Sequence, residues 1–599
     1  MKLLTFLPIL PATVLALECR PEGPIYPRPR NLSESKTFQE ALANFTAILN
    51  GAFNGDIRTG WDIHNVSLST GIVGLDQTDA STPLWEYHHL ASGNINGTQS
   101  IDRHSQYLIG SVSKAISDAI LIKSGVSMDD PVTKHLPALK GHDSLIDWES
   151  ISLRALGGQL AGIPPNYGFS EYHYLKFYFE ALGFPHINDS AYPPCGVIGL
   201  SAGPCTKQQL LLGMKTSHPL APPHSRPIYS NIAYTILAYA LESSTGRNYT
   251  QLLHSLITRP LHMPSTFPSG LGNDSLAVIP PVPNSWGSDY GDNVPGGGLI
   301  STLSDLSSFV HAILSRNPHL ATPTQIHEWL QPRSFAGSRN SFLGFPWEIF
   351  RPNPSVLFPG YNETSGEGGH SVTIHAKDGA AYGYRARIAL LDEYGVGLAF
   401  LTAGNQDALT TIYDAALSVL VPALDAVARE QAEERYVGKF VGRSTPETGG
   451  VDVDVSTEVD GVSLVLTGMA RNGSDILDAL VEFWKVSLGV VLPTLKPTGT
   501  FRLYPAGIKR PGRMEDGRET VTEDWRMMWE FEQNADTDLP GKGISEKDCL
   551  TWAVGDWMHY GSEPIDRVVY VKDRESGEVF GVDLPFLRSG VLNKDGEEK

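Results

Sequence analysis

The sequence predicts an α+β domain followed by a small β-rich domain, and three observations support this division. The chain has 599 residues, of which 41% are hydrophobic. A single core stops growing at about 250 to 300 residues, so more than one folded unit is expected. Between residues 38 and 420, helical apolar periodicity mixes with short apolar strand-like runs. After Tyr436 the pattern changes to alternation, as in residues 451–455 and 462–466.

Both ends of the chain are predicted to lie outside these domains. Residues 1–16 combine Lys2, an apolar run and the small residues Val14 and Ala16, which is typical of a cleaved signal peptide. The run is shorter than the about 20 residues of a membrane span, and no later stretch is expected to cross a bilayer. We therefore predict a secreted, extracellular protein with a first domain at 17–422, a β-rich domain at 436–592 and a disordered tail at 593–599.

Sequons and cysteines agree with a secretory route. The predicted N-glycosylation acceptors are Asn31, Asn44, Asn65, Asn96, Asn188, Asn248, Asn273, Asn362 and Asn472. Cys195 and Cys205 flank a short Gly/Pro-containing stretch that a disulfide can close, and Cys19 and Cys549 would form a second pair. Free buried thiols are the alternative, which an oxidising compartment disfavours.

Charge and residue spacing exclude several partners. The formal net charge of −20 opposes binding to nucleic acid or to an anionic membrane, because both require a basic surface. No Cys-x-x-Cys or His-x-x-x-His pair accompanies the cysteines, so we expect no metal. We also predict no cofactor. The expected partner is a small-molecule substrate.

The first candidate motif is a serine and a lysine one helical turn apart. Residues 109–114 read Ile-Gly-Ser-Val-Ser-Lys and open an apolar segment with helical spacing. Ser111 and Lys114 therefore share one helix face, so the amine can reach the hydroxyl. A lysine with a lowered pKa can deprotonate a serine, and the helix N-terminus offers N–H groups to an oxyanion. Ser33 and Lys36 repeat the spacing in a polar stretch, which favours a surface position.

Two more motifs follow in order. Tyr229 and Asn231 precede the apolar residues 232–241, and a phenol near an ammonium group can shuttle protons. An ordinary tyrosine packed at a helix start is the alternative. Lys377 lies on a predicted strand beside Gly379, where the missing side chain lets a substrate approach the backbone. The ordered series Ser-x-x-Lys, Tyr-x-Asn and Lys-x-Gly is what separates these residues from chance matches.

With these motifs the chain resembles the serine β-lactamase and penicillin-binding-protein superfamily, specifically its class C-like branch and secreted fungal β-lactamase-like proteins. The resemblance covers roughly residues 40–420 and includes connecting segments such as Gly-Gly-Gly-Leu-Ile-Ser-Thr at 296–302. It implies a β-lactamase/transpeptidase-like fold, in which an antiparallel sheet is flanked by helices and accompanied by a helical subdomain. The implied roles are Ser111 as nucleophile, Lys114 as base, Tyr229 as base or acid, Asn231 and Lys377 as substrate contacts, and the backbone N–H groups of Ser111 and Ala380 as the oxyanion hole.

Two departures from the family pattern concern the substrate. Residues 158–164 read Gly-Gln-Leu-Ala-Gly-Ile-Pro where relatives often have His-Thr-Ser-Gly, which changes the local shape. Asp378 stands between Lys377 and Gly379, where a hydroxyl residue commonly helps to bind a substrate carboxylate. If Asp378 faces the cleft, it opposes such a carboxylate by about 4 kcal/mol at about 4 Å with an effective dielectric constant of about 20. Uncharged acyl donors should then be preferred to penicillins and D-alanyl peptides.

The sequence thus predicts a secreted serine hydrolase that acts on an ester or amide of a small molecule through a Ser111 acyl-enzyme. A transesterase or acyl transferase of secondary-metabolite biosynthesis is a close alternative, because it differs only in the acceptor of the acyl group. A non-catalytic binding protein that keeps the cleft as a ligand pocket is an alternative of a different class. Retention of all three motifs argues against it.

Overall fold

The computed structural model describes residues 20–141, 143–169, 171–200, 203–363, 366–443, 451–514, 516–533, 540 and 557–595. These residues form two compact units. The first unit contains residues 30–353 and 371–420, and the second contains residues 20–29, residues 354–370 and the chain from Val421 onward. The predicted signal peptide, Cys19 and Cys549 lie outside the described residues.

An antiparallel sheet forms the centre of the first unit. The strands of this unit are β1 (Val66–Gly74), β2 (Trp85–His89), β3 (Asn96–Gly97), β4 (Tyr107–Leu108), β5 (Phe267–Pro268), β6 (Val278–Ile279), β7 (Leu299–Ser301), β8 (Ser334–Phe335), β9 (Ser341–Leu343), β10 (Glu348–Phe350), β11 (Ile374–Ala381), β12 (Tyr384–Leu391) and β13 (Val396–Gly404). The main sheet has the order β2-β1-β13-β12-β11-β10-β9-β8, while β3 pairs with β6 and β7 lies between β4 and β5. The predicted hairpin around residues 392–395 is confirmed as β12 and β13, joined at Gly395 with φ 66°.

Helices cover the sheet and build the region that carries the site. They are α1 (Lys36–Asn54), α2 (Ser113–Lys123), α3 (Val132–His135), α4 (Leu153–Gly157), α5 (Lys176–Ala181), α6 (Lys207–Thr216), α7 (Ile232–Thr245), α8 (Tyr249–Leu252), α9 (Val294–Gly297), α10 (Leu303–Leu314) and α11 (Pro323–Trp329). Helix α1 is amphipathic and buries Phe38, Phe45 and Leu49. Helix α2 is buried on all sides from Ser113 to Leu121, as expected of a helix at the centre of a core. The predicted α+β fold class is confirmed.

A disulfide joins Cys195 and Cys205, as the sequence predicts. It closes a loop of the first unit, and no cysteine among the described residues is free. In the chain-entropy account, such a bridge stabilises the fold by limiting the freedom of the unfolded chain.

The second unit is a closed antiparallel sheet. Its helices are α12 (Pro354–Leu357), α13 (Ala408–Tyr436, which begins in the first unit), α14 (Ile476–Val486) and α15 (Leu488–Val491). Its strands are β14 (Gly438–Gly442), β15 (Val453–Val459), β16 (Leu464–Arg471), β17 (Ser474–Asp475), β18 (Leu495–Arg513), β19 (Glu519–Gln533), β20 (His559–Tyr560), β21 (Glu563–Pro564), β22 (Arg567–Asp573), β23 (Val579–Asp583) and β24 (Val591–Lys594). Strand β15 pairs with both β14 and β16, so the sheet closes and protects its edges. Trp484, Trp525 and Trp529 are buried in its core.

Three boundaries differ from the prediction. Residues 20–29 and 354–370 group with the second unit, where Tyr26, Phe358 and Asp425 line one cavity of about 190 Å³. Asn593 and Lys594 belong to β24 and pair with β14 rather than forming a disordered tail. Helix α13 is long and apolar enough to cross a membrane by length and composition, which the sequence analysis did not expect. Half of its most apolar window is buried inside the structure.

Candidate active site

The three predicted catalytic side chains converge on one oxygen atom. Ser111 lies in the short turn Gly110–Val112 that leads into α2. Lys114 is one helical turn further on, and its Nζ is 2.9 Å from Ser111 Oγ. The hydroxyl of Tyr229, in the loop before α7, donates a hydrogen bond to the same Oγ at 2.7 Å. The structure therefore brings together a nucleophile and two groups that can move its proton.

The surroundings of Lys114 favour its neutral form, in which it can act as a base. Its side chain is fully buried, and burial, assisted by the nearby Lys377 ammonium, holds the pKa of Lys114 well below its usual value. A neutral amine has two N–H groups and one lone pair. Asn231 Oδ1, at 2.8 Å, and the carbonyl oxygen of Gly296 accept those two N–H groups. The lone pair is left for the hydroxyl proton of Ser111.

Strand pairing explains how Gly296 reaches Lys114. Strand β4 precedes the Ser111 turn and β7 follows Gly296, and the two strands pair antiparallel with Leu108 opposite Ile300. This pairing places the Gly-rich segment 296–302 against the start of α2. The segment thus supplies a backbone acceptor for the amine as well as a strand.

A buried carboxyl group one helical turn after Lys114, that of Asp118, has a raised pKa. The hydroxyl of Tyr234 donates to Asp118 Oδ2 at 2.8 Å and lies 2.7 Å from the carbonyl oxygen of Gly157. Tyr234 is the donor in both contacts, so its single proton is shared between them. Burial outweighs this hydrogen bond and raises the pKa of Asp118 well above its usual range, which favours the neutral carboxylic acid. A neutral Asp118 does not favour protonation of Lys114.

Lys377 carries the fixed positive charge of the site. It is buried on β11, and its ammonium pairs with Glu348 and donates to the carbonyl oxygen of Asp378 at 2.8 Å. Burial opposes the charge, but the Glu348 carboxylate together with Tyr229 and Asp378 outweighs that effect and raises the pKa of Lys377. The ammonium lies 5.5 Å from the ring centroid of Tyr229. Lys377 therefore faces the proton-transfer residues as a cation.

Two glycines let β11 pass close to the Ser111 turn. A Cβ on Gly379 would clash with the carbonyl oxygen of Ile109 and lie 3.0 Å from Ser111 N. A Cβ on Gly110, whose φ is 50°, would clash with the backbone of Ala380. This close approach is what the predicted oxyanion hole of the Ser111 and Ala380 N–H groups requires. The assignment of those two donors stays a prediction.

Gln159 is a site residue that sequence reasoning missed. Its buried amide accepts from the N–H of Ser230 at 2.5 Å and donates to the carbonyl oxygen of Ser230 at 3.3 Å. It thereby holds both backbone groups of the residue that follows Tyr229. Its φ of 58° is uncommon for a residue other than glycine and is typical of strain kept at functional sites. The unusual stretch at 158–164 thus fixes the loop of Tyr229.

Asp378 does not present an unpaired charge to the cleft, contrary to the premise of the sequence analysis. Its carboxylate lies 3.2 Å from Arg387 Nε and 3.3 Å from Arg385 Nη1. The carboxylate that pairs with Lys377 belongs instead to Glu348, in a short strand run that carries no recognisable signal.

The sequon asparagines lie at the surface. Asn65 is half-buried and its amide donates to Asp62, whereas the other acceptors are exposed: Asn31, Asn44, Asn96, Asn188, Asn248, Asn273, Asn362 and Asn472. Exposure is necessary for glycosylation but does not establish it. Modification of these sites stays a prediction.

Fold and site define the class of this protein, and comparison with known proteins agrees. The family model described as "Beta-lactamase" matches residues 83–421, so the chain belongs to the β-lactamase family. Members of this family are serine hydrolases. A second model, described as "Beta-lactamase-like-like, C-terminal domain", matches residues 428–595. The chain is therefore a β-lactamase-like protein with an additional C-terminal domain.

Several fungal relatives share this organisation or part of it. A Beta-lactamase-like protein of Arthroderma benhamiae is 42% identical over 588 residues, covering 96% of each chain. Probable hydrolase clz13 of Cochliobolus lunatus is 25% identical over 556 residues, covering 87% of this chain and 84% of that one. Unguisins hydrolase ungD' of Aspergillus campestris is 26% identical over 220 residues, covering 34% of this chain and 37% of its own.

The close approach of β11 to the Ser111 turn can be tested by adding one methyl group. We expect Gly379→Ala to lower kcat/KM for an activated ester at least about 100-fold, because the methyl group displaces the strand from the turn. The matched control is Gly337→Ala, where a Cβ meets no atom within 4 Å; it should keep the parent rate. A Gly379→Ala variant with parent kcat/KM would show that this approach is not needed.

The raised pKa of Asp118 leads to a second prediction. Asp118→Asn is isosteric and neutral, and its amide oxygen can accept the hydrogen bond from Tyr234 as Asp118 Oδ2 does. We expect this variant to keep kcat/KM within about threefold and to keep the parent pH profile, whereas Asp118→Ala should lower the melting temperature by leaving Tyr234 without that partner. A shift of the pH profile in Asp118→Asn would mean that an ionised Asp118 acts on Lys114.

Proposed function

We propose that this protein is a secreted hydrolase that cleaves an ester or amide of a small molecule through an acyl-enzyme on Ser111. The observation that carries the proposal is the arrangement of Lys114, whose Nζ lies 2.9 Å from Ser111 Oγ and also contacts the oxygen atoms of Asn231 and Gly296. A serine hydroxyl becomes an effective nucleophile when a neighbouring base takes its proton.

Acylation follows from these contacts. Ser111 Oγ attacks the substrate carbonyl carbon while its proton passes to Lys114, and the carbonyl oxygen becomes an oxyanion facing the backbone N–H groups at Ser111 and Ala380. Tyr229, 2.7 Å from Oγ, protonates the leaving oxygen or nitrogen as its bond to carbon breaks. The Lys114 ammonium, 4.9 Å from the tyrosine ring, then restores the phenol proton. Hydrolysis reverses these transfers, with water as the attacking group.

A cavity lined by Tyr229, the hydrogen-bond partner of Ser111, suits a small substrate. It has a volume of about 590 Å³, and its lining includes Tyr229, Phe342, Ile349 and Tyr413. Drug-sized ligands occupy cavities of about 300 to 1,000 Å³ with mainly apolar walls and a few polar groups. This setting supports an acyl donor with an apolar portion whose carbonyl reaches Ser111.

Hydrolysis is favoured over the alternatives. Tyr229 is 45% exposed, so water can reach this residue and be activated by it. Acyl transfer to another acceptor would require that water be excluded. The relatives clz13 and ungD' are both named as hydrolases, and one name specifies unguisins. A binding protein without catalysis has no need for a buried neutral amine aligned on a serine. Secretion rests on the leader and the sequons of the sequence.

Removing the nucleophile tests this function. We expect Ser111→Ala to abolish hydrolysis of p-nitrophenyl butyrate and labelling by a fluorophosphonate, with the melting temperature nearly unchanged, because one oxygen atom is lost and little packing. The control is Ser33→Ala, at the exposed repeat of the Ser-x-x-Lys pattern, which should keep the parent rate. Equal turnover by Ser111→Ala and the parent would contradict the proposed function.

A further inference from the structure

Glu348 places a carboxylate of the protein itself at the substrate side of the site. It begins β10 and stands opposite Ala376 in the pairing with β11. One of its carboxylate oxygens pairs with the Lys377 ammonium, and the other accepts the N–H of Asp378 at 3.0 Å. Its side chain is 41% exposed and lines the same cavity as Tyr229. The group is therefore both engaged with the strand and accessible to a ligand.

These contacts occupy the donors that an incoming carboxylate would need. An ammonium group and an adjacent strand N–H are the partners that bind a carboxylate by charge-assisted hydrogen bonds. At this site both donors, from Lys377 and Asp378, are taken by Glu348. Arg387, the one cationic side chain among the described residues that line the cavity, pairs with the Asp378 carboxylate. A substrate carboxylate would thus meet a fixed anion without a free cation from the cavity wall.

We propose that Glu348 determines the charge of the substrate: its carboxylate takes the place of a carboxylate on the acyl donor, and the enzyme cleaves neutral donors in preference to anionic ones. This inference rests on the proposed Ser111 hydrolase function. In this proposal Glu348, and not Asp378, is the origin of the preference for neutral donors. An anionic donor is disfavoured by repulsion from the Glu348 carboxylate, and the cavity wall offers it no free cation. Repulsion of the wrong ligand is a common basis of specificity.

The test compares two activated esters of similar length, p-nitrophenyl butyrate and mono-p-nitrophenyl succinate. We expect the parent enzyme to favour the neutral butyrate in kcat/KM by at least about tenfold. Glu348→Gln keeps the shape and removes the charge, so it should raise the succinate-to-butyrate ratio of kcat/KM by at least about tenfold. The matched control is Glu149→Gln, the same change at an exposed carboxylate that does not line this cavity, which should change the ratio by less than about threefold.

A fluorophosphonate label separates the two levels of the proposal, because labelling of Ser111 does not depend on the charge of an acyl donor. A parent enzyme that is not labelled would overturn the hydrolase function. A labelled parent that cleaves both esters equally, or a labelled Glu348→Gln with an unchanged ratio, would overturn only the role of Glu348. If Glu348→Gln fails to fold, the succinate-to-butyrate ratio of the parent enzyme is compared at 0.01 and 1 M salt instead. Salt screens charges, so it should reduce a preference that comes from charge and leave a steric preference unchanged.

Discussion

The hydrogen bond between Lys114 Nζ and Ser111 Oγ is the interaction on which the rest of the site depends. A lysine can take a proton from serine only if it is neutral, and in water at pH 7 it is charged. Burial of α2 from Ser113 to Leu121 removes the hydration that would stabilise the ammonium. Two oxygen acceptors, from Asn231 and Gly296, then orient the amine without supplying a negative charge.

Two buried lysines near the ring of Tyr229 have different roles, one as a base and one as a fixed cation. The partners of each lysine determine its role. Lys377 has a carboxylate partner in Glu348 and stays charged, whereas burial raises the pKa of Asp118, the nearest carboxyl group to Lys114 along its helix. The charge on Lys377 further disfavours a charge on Lys114. Acid and base functions at one pH thus follow from which carboxyl groups are ionised.

Local patterns in the sequence were sufficient to predict the nucleophile and its base. Ser111 and Lys114 are three residues apart on one helix, and the β12–β13 hairpin and the Cys195–Cys205 bridge also involve near neighbours. The partners that tune the site are distant: Lys377 and Glu348 are 29 residues apart, Ser230 and Gln159 are 71, and Tyr234 and Asp118 are 116. Only the fold brings such pairs together. The pairing of Asp378 with Arg387 could have been predicted from the sequence, because the two residues are opposite each other in the β11–β12 hairpin.

The neutral state of Lys114 is the central claim, and the pH dependence of Ser111 labelling by an uncharged fluorophosphonate tests it most directly. The labelling rate should rise to a plateau with an apparent pKa far below the about 10.4 of an ordinary lysine, since burial and Lys377 keep the amine neutral. A rate that continues to rise through pH 10 would show that Lys114 is a charged residue in the resting protein, and would contradict the account.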